Sequence, residues 1–333
     1  MPNYSRVAVF SLSYVLLWAP LAAAGTAQTD QEPDIGQKTQ VTSDKTFETT
    51  PTWSRDGKYI VFVSDRFGGV GICRVGRGGG GGIAALTQPA ADEVDVFPDA
   101  GPEGQVAFAS NRSRGVFQVW SISIGARGLT QLTNAPYGAN YPAWSRDGKE
   151  LAYMAPDKNG KEFVWIMDAD GSNQRQLTDG TQPRWSPDGK RLVYSKMTQG
   201  KEKNRDIYTI EIETNTISQI TSENTAEFSP DWGPDGKWIS YIAYKGKLGY
   251  LKNGKEVIND LKSKPNYEIW IKNVEETGKS GIQLTRSKGL NGWPRWAPSG
   301  TELAFVSDRG GSLDLWTLVP GVISKGPSTA GKE

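Results

Sequence analysis

Histidine is absent from the 333-residue sequence. Its absence excludes serine–histidine and cysteine–histidine nucleophile pairs, a histidine general base, and zinc or copper sites with histidine ligands. The single cysteine, Cys73, excludes an intramolecular disulfide. Cys73 lies in a predicted strand, where we expect a buried, inert thiol rather than a nucleophile, because no histidine could activate it.

The sequence also lacks an excess of charge of either sign. Lys and Arg number 38 and Asp and Glu number 37, which leaves a formal net charge of +1. No basic surface for nucleic acid is therefore predicted. Glycine (39), proline (19) and tryptophan (12) are plentiful. Many turns combined with many large aromatic side chains favour an all-β architecture.

The N-terminus has the features of an export signal. Arg6 precedes an apolar run over 7–24 that ends in three alanines, which predicts cleavage before Gly25 and a mature protein outside the cytosol. An uncleaved membrane anchor is the alternative, because the run is about long enough to span a bilayer. Pro20 and the alanine-rich end favour cleavage.

A short phrase recurs along the rest of the chain. Its fullest form is Pro-x-Trp-Ser-Pro-Asp-Gly-Lys at 183–190, and six copies occur, one of them degenerate at 98–104. The corner residues are separated by 47, 44, 41, 47 and 64 residues; they are Asp56, Glu103, Asp147, Asp188, Asp235 and Ser299. The shorter steps match the four strands of a propeller blade, and the last step contains an insertion over 245–266.

A second phrase, Gln-Leu-Thr or a variant, lies between successive corners. Five copies separate the six corners, a sixth (Gln40-Val41-Thr42) precedes the first corner, and none follows the last. If this phrase marks each outer strand, the last blade must borrow its outer strand from the segment near 38–42. The sequence thus predicts a six-bladed β-propeller in which an N-terminal strand closes the last blade.

The two phrases together resemble the repeat of the TolB-type β-propellers, a WD40-like (PD40) repeat family. The resemblance runs from about residue 38 to 320 and implies a periplasmic, non-enzymatic module of a Tol–Pal-like envelope system. It also implies a Pal-like lipoprotein as partner, bound at the mouth of the propeller. The predicted organisation is a signal peptide (1–24), a flexible segment (25–37), one propeller (38–320) and a disordered tail (321–333).

The loops that lead into the inner strands are the predicted site. Three residues before each blade's proline stand Glu48, Asp95, Ala139, Gly180, Glu227 and Asn291. Carboxylates converging on the axis would raise one another's pKa unless a cation or a basic segment offset them. The hypothesis is an acidic mouth that accepts a Lys- or Arg-bearing partner or a Ca²⁺-like ion held by Glu48, Asp95 and Glu227. The alternative is solvated loop acids that bond local amides.

Aromatic side chains near the same prolines could add apolar contact. The full set of predicted partner contacts is Glu48, Asp95, Asn140, Tyr141, Glu227, Asn291 and Trp293. Tyr141 and Trp293 could equally pack between blades. The recurring Ser-Asp-Arg at 64–66 and 307–309, with Ser-Asn-Arg at 110–112, is interpreted as a structural hairpin bond. The alternative function is a propeller lyase, hydrolase or carbohydrate-binding protein that uses a metal at the channel.

Overall fold

The computed structural model describes residues 35–113, 115–198, 204–223, 225–244, 248–250, 256–258, 267–276, 278–287 and 289–322. The predicted signal peptide and nearly all of the predicted tail lie outside the described residues. No helix within these ranges is long and apolar enough to cross a membrane.

Six four-stranded antiparallel sheets, here called blades 1 to 6, make up the fold. Blade 1 consists, from inner to outer strand, of β2 (Glu48–Trp53), β3 (Tyr59–Ser64), β4 (Gly71–Gly76) and β5 (Ala84–Ala85). Blade 2 consists of β6 (Asp95–Ala100), β7 (Gln105–Ser110), β8 (Gln118–Ser123) and β9 (Thr130–Gln131). Those of blades 3 and 4 are β10 (Asn140–Trp144), β11 (Glu150–Pro156), β12 (Glu162–Asp168), β13 (Arg175–Asp179), then β14 (Thr181–Trp185), β15 (Arg191–Met197), β16 (Arg205–Glu211), β17 (Ile217–Gln219).

Blades 5 and 6 complete the ring. Their strands are β18 (Ala226–Trp232), β19 (Trp238–Tyr244), β22 (Tyr267–Asn273), β23 (Ile282–Gln283), then β24 (Asn291–Trp296), β25 (Leu303–Ser307), β26 (Asp314–Val319) and, as the outer strand, β1 (Gln37–Gln40). A two-stranded hairpin, β20 (Leu248–Tyr250) with β21 (Glu256–Ile258), lies within the predicted insertion of blade 5.

The N-terminal strand closes the ring, as predicted. β1 pairs antiparallel with β26, from Gln37 opposite Val319 to Gln40 opposite Trp316. The following Thr42 makes a bond that is also made in other blades, where a threonine hydroxyl accepts from an amide near the start of the third strand. Leu315 N donates to Thr42 Oγ1 (2.9 Å), as Ile72 N does to Thr87 Oγ1 (2.9 Å). Residues 37–42 therefore give the last blade its outer strand and its threonine hydroxyl, as the Gln-Leu-Thr phrase does in the other blades.

Buried apolar clusters fill the spaces between neighbouring blades all the way around the ring. Val61 of blade 1 and Phe108 of blade 2 belong to one such cluster, and Trp53 of blade 1 and Leu315 of blade 6 belong to another. The blade tryptophans seal these interfaces. Trp185, for example, lies in the cluster between blades 3 and 4 and donates its Nε1 proton to Ala143 O (3.0 Å).

The Asp-Gly corners between the first and second strands have the predicted turn chemistry. Asp56 Oδ1 accepts bonds from Ser54 Oγ (2.7 Å) and Lys58 N (3.1 Å). The corner glycine Gly57 has φ of 68°, a left-handed conformation that a side chain would strain. All corners lie at the end of the axis where the inner strands finish. We call this end the corner face, and the opposite end the strand-start face.

Candidate functional site

The predicted acidic residues do lie where the inner strands start, but they are buried. The side chains of Glu48, Asp95, Glu227 and Asn291 are all shielded completely from solvent. Asn140 begins β10 and is also buried. At this level the structure therefore presents no row of solvated carboxylates.

Three of these residues each bond to an arginine of their own blade. Arg66 Nη2 lies 2.5 Å from Glu48 Oε1, and Arg112 Nη2 lies 2.5 Å from Asp95 Oδ2. Arg309 Nη2 donates to Asn291 Oδ1 at 2.6 Å. Burial raises the pKa of the Glu48 carboxyl, and bonds from Thr46, Arg66 and Thr42 oppose that rise. These arginines are the last residues of the Ser-Asp-Arg and Ser-Asn-Arg phrases, whose structural role this geometry defines.

The sequence carries a signal for this pairing. Blades 1, 2 and 6 have both the arginine and a polar residue at the strand start. Blades 3 and 4 have neither, since Ala139 and Gly180 stand there and Asp157 and Thr198 replace the arginine. The joint presence of the two residue types across repeats indicates that they bond to each other.

Glu227 of blade 5 departs from this pattern. At the end of β19, Ala243-Tyr244-Lys245 stands where blades 1, 2 and 6 have Ser-x-Arg. The carboxyl of Asp206 of blade 4, which is also buried, lies within hydrogen-bond reach of Glu227. Burial raises the pKa of Glu227 to about 9, and Asp206 adds to the rise. Thr221 Oγ1 donates to Glu227 Oε2 (3.2 Å), and Gln219 Nε2 donates to Asp206 Oδ2 (2.7 Å). The two carboxyls thus share one proton at neutral pH.

The residues proposed for a Ca²⁺-like ion do not assemble. Within the described ranges, no group of three or more Asp, Glu, His or Cys side chains is placed to hold a metal. Glu48, Asp95 and Glu227 belong to three different blades, and their oxygens accept bonds from Arg66, Arg112 and Thr221. This arrangement does not fit a calcium site, which needs six or more converging oxygens.

Just inside the strand starts, every inner strand has the same backbone irregularity. The residue before each proline has a positive φ of 45–56°, and a β-bulge interrupts each pairing with the second strand; the residues are Thr50, Phe97, Tyr141, Gln182, Ser229 and Trp293. The bulge turns these side chains into a narrow axial space of about 10 Å³ that they line together. The channel is therefore nearly closed at this level.

The two aromatic residues predicted as partner anchors are placed differently from each other. Trp293 is only 7% exposed and belongs to the apolar cluster between blades 6 and 1. Tyr141 is half-buried, and its ring lies 4.1 Å from that of Phe97 across blades 3 and 2. Packing between blades, the alternative for both residues, is thus what the structure shows, with part of Tyr141 left accessible.

Charged side chains occupy the next level along the axis. The residue immediately after each proline stands at this level, and four of the six are charged; the six are Thr52, Asp99, Ala143, Arg184, Asp231 and Arg295. Arg184 Nη1 of blade 4 reaches Asp99 Oδ1 of blade 2 at 2.7 Å. This contact skips blade 3 and thus spans part of the channel. Sequence reasoning missed this level, although four of the six residues after the proline are charged within an otherwise constant phrase.

A cavity of about 240 Å³ lies on the axis between this charged level and the corner face. All six inner strands or their corners contribute to its wall, including Arg295, Asp231 and five tryptophans. Arg55 of blade 1 lines it and donates to Trp144 O of blade 3 (3.2 Å). Burial lowers the pKa of Arg295 to about 9, with Arg184 adding to the effect and Asp231 and Asp99 opposing it. Arg295 is still charged at neutral pH.

A larger groove of about 600 Å³ lies on the perimeter between blades 4 and 5, away from the axis.

Two exposed aromatic side chains lie on the strand-start face, and sequence reasoning missed both. Phe67 is 49% exposed in the loop between β3 and β4, and Tyr137 is 54% exposed in the loop that leads into β10. The Phe67 loop is at this end because the second strand runs back towards it, and the Tyr137 loop is there because it leads into the start of an inner strand. The only hint in the sequence is that each residue stands in a loop where a polar residue is expected.

The sequence matches the family described as the TolB beta propeller domain (PD40) over residues 32–182 and 141–247. It is 26% identical over 151 residues to the uncharacterized peptidase YuxL of Bacillus subtilis, which covers 44% of this chain and 21% of that protein. It is 25% identical over 139 residues to the TolB homolog of Chlorobium luteolum (34% and 31%), and 26% identical over 118 residues to the Tol-Pal system protein TolB of Desulfotalea psychrophila (35% and 23%). The matched segments span less than a third of each relative.

Solved structures share the fold. The structure of a putative TolB from Agrobacterium tumefaciens superposes with a TM-score of 0.62 at 16% identity, covering 84% of this chain and 92% of that one. An oligogalacturonate lyase from Vibrio parahaemolyticus superposes with a TM-score of 0.54 at 13% identity, covering 85% and 93%. At these identities the likeness concerns the fold alone, and the fold hosts both binding proteins and enzymes.

Proposed function

This chain belongs to the TolB β-propeller family, and from that premise we propose that it is a non-enzymatic protein-interaction module of the bacterial cell envelope. In this proposal the chain acts in the periplasm and binds a Pal-like lipoprotein through its strand-start face. The relatives named TolB homolog and Tol-Pal system protein TolB support this reading.

The observation that carries the proposal is the pair of exposed aromatic side chains on that face. Exposed aromatic residues in fixed loops are typical of the centres of protein interfaces, where they supply a large share of the binding energy. Phe67 and Tyr137 are each about half exposed. Each is therefore available to a partner without rearrangement of the core.

Buried polar contacts hold both loops in place. Arg66, the neighbour of Phe67, bonds Glu48 within the blade. The loop that carries Tyr137 is pinned by Gln118, which accepts from Ala135 N (2.9 Å) and donates to Ala135 O (2.8 Å). A preordered loop loses less conformational entropy when a partner binds.

This arrangement gives the residues predicted from sequence a role in the proposal. Glu48 and Asp95, through their arginines, position the loops after the second strands, and Asn291 does the same for blade 6. Tyr141 is the predicted contact whose side chain is partly accessible. We propose that it extends the aromatic surface towards the axis.

Binding of the purified chain to the soluble domain of the Pal homologue from the same organism tests the proposal. The Phe67→Ala/Tyr137→Ala variant is expected to bind more weakly, with a dissociation constant raised roughly tenfold or more. Leu129→Ala is the matched control, because Leu129 is 43% exposed in a loop at the corner face. Equal binding by all three proteins, or no binding by the unaltered chain, would contradict the proposal.

A further inference from the structure

The axial cavity at the corner face has an excess of positive charge. Arg55, Arg146 and Arg295 line it, and Arg184 lies directly behind Asp99. The acidic groups at this level are Asp99 and Asp231. The three lining arginines, Arg184 behind them and the two aspartates together leave a formal charge of +2 around the cavity.

The two aspartates are already engaged by the protein. Asp99 accepts from Arg184 Nη1 (2.7 Å) and from Trp144 N (2.8 Å). Asp231 Oδ2 accepts from Trp296 N (2.8 Å). Backbone amides of the cavity wall therefore use part of the hydrogen-bond capacity of the two aspartates. The aspartates cannot accept from all of the N–H donors of the four arginines.

Arg295 retains donor capacity at the floor of the cavity. The residue is 8% exposed, and its Nε has no hydrogen-bond partner, while Nη1 donates to Pro294 O (2.9 Å). A buried guanidinium donor without an acceptor is costly. A ligand oxygen at this position would satisfy it.

At the corner face, Arg55 and Arg146 are exposed to solvent and form the rim of the cavity. Their donors can meet a ligand as it enters, while Arg295 lies deeper. Tryptophan side chains form much of the remaining wall. The cavity thus combines guanidinium donors at two depths with apolar sides.

We propose that this axial cavity binds a small organic acid through its carboxylate groups. Guanidinium groups match the planar carboxylate and can donate two parallel bonds to it. The volume of about 240 Å³ suits a small molecule rather than a peptide segment. Apolar walls and two nearby aspartates favour a carboxylate over a phosphate dianion, which is more costly to strip of water.

Isothermal titration with citrate as the carboxylate probe tests the proposal, with inorganic phosphate as the second arm. We expect one citrate per chain and binding roughly tenfold or more weaker in the Arg55→Gln/Arg146→Gln variant. Arg175→Gln and Arg127→Gln together form the control, since both arginines are exposed and lie off the axis. Rim residues are chosen because their replacement leaves the buried Arg184 and Arg295 in place, and circular dichroism checks the fold.

Three outcomes would overturn the proposal: no citrate binding, citrate binding that the rim variant does not weaken, or phosphate binding as tight as that of citrate. The Pal-homologue experiment concerns the opposite face. Failure of either experiment therefore leaves the other conclusion standing.

Discussion

Replacing Glu227 with glutamine should remove a pH dependence from the stability of the propeller. Glu227 and Asp206 are buried together between blades 5 and 4, and burial raises the pKa of Glu227 from 4.5 to about 9. The folded protein therefore holds a proton there that the unfolded chain releases above pH 4.5. This contribution to stability is complete below that pH and is lost as the pH rises through 9.

The size of the effect follows from one proton. Each pH unit in this window costs the folded state up to about 1.4 kcal/mol relative to a protein without the group. Between pH 6 and pH 8, the unaltered chain should lose about 3 kcal/mol of stability relative to Glu227→Gln. For a domain of this size, that difference corresponds to roughly 5 °C or more in Tm. Glutamine is accommodated because its amide can donate to Asp206, as Asn291 Nδ2 donates to Glu268 Oε2 (3.3 Å) between blades 6 and 5.

Urea unfolding followed by tryptophan fluorescence at pH 6 and pH 8 measures the difference. Asp95→Asn is the matched control, since it makes the same carboxyl-to-amide change at the equivalent position of blade 2. There Arg112 Nη2 bonds both Asp95 oxygens at 2.7 and 2.5 Å. This variant should lose about 1–3 kcal/mol at both pH values and keep the pH dependence of the unaltered chain. If Glu227→Gln also keeps that dependence, the shared proton is wrongly assigned.

Three further outcomes are expected. Cys73 is buried and its pKa is raised by burial to about 12, so a thiol reagent should label it only at the rate of unfolding; fast labelling of the folded chain would disagree. Thr42→Val removes the hydroxyl that accepts from Leu315 N and should lower the free energy of unfolding in urea by about 1–3 kcal/mol. An unchanged unfolding midpoint would mean that this bond adds nothing to stability. Gly180→Ala places a Cβ 2.5 Å from Tyr194 at φ of 142° and should lower Tm by several degrees, more than Gly189→Ala, whose Cβ meets open space.

The repeat and its closure were predictable from sequence because they rest on a strict local period. Each copy of the tryptophan-and-corner phrase fills the same place between blades, so spacing alone gives the number of blades. The extra Gln40-Val41-Thr42 copy located the closing strand. The structure places that strand at Gln37–Gln40, and the Thr42 hydroxyl after it bonds the last blade. Edge pairing of this kind follows from a simple count of outer strands.

The site was harder to predict because it depends on contacts between distant parts of the ring. Glu48 and Arg66 are 18 residues apart and bond within one blade, so an acidic residue near the axis did not imply an acidic surface. Arg184 and Asp99 are 85 residues apart and meet only because the channel brings blades 2 and 4 together. The exposure of Phe67 and Tyr137 depends on loop geometry that the repeat does not encode.

The assignment of the partner to the strand-start face is tested most directly by hydrogen exchange with and without the soluble domain of the Pal homologue. The account predicts slower exchange in the complex over the loops that carry Phe67 and Tyr137, at 65–70 and 134–139, and no change at the corners over 54–58 and 145–149. Slower exchange confined to the corners would contradict it.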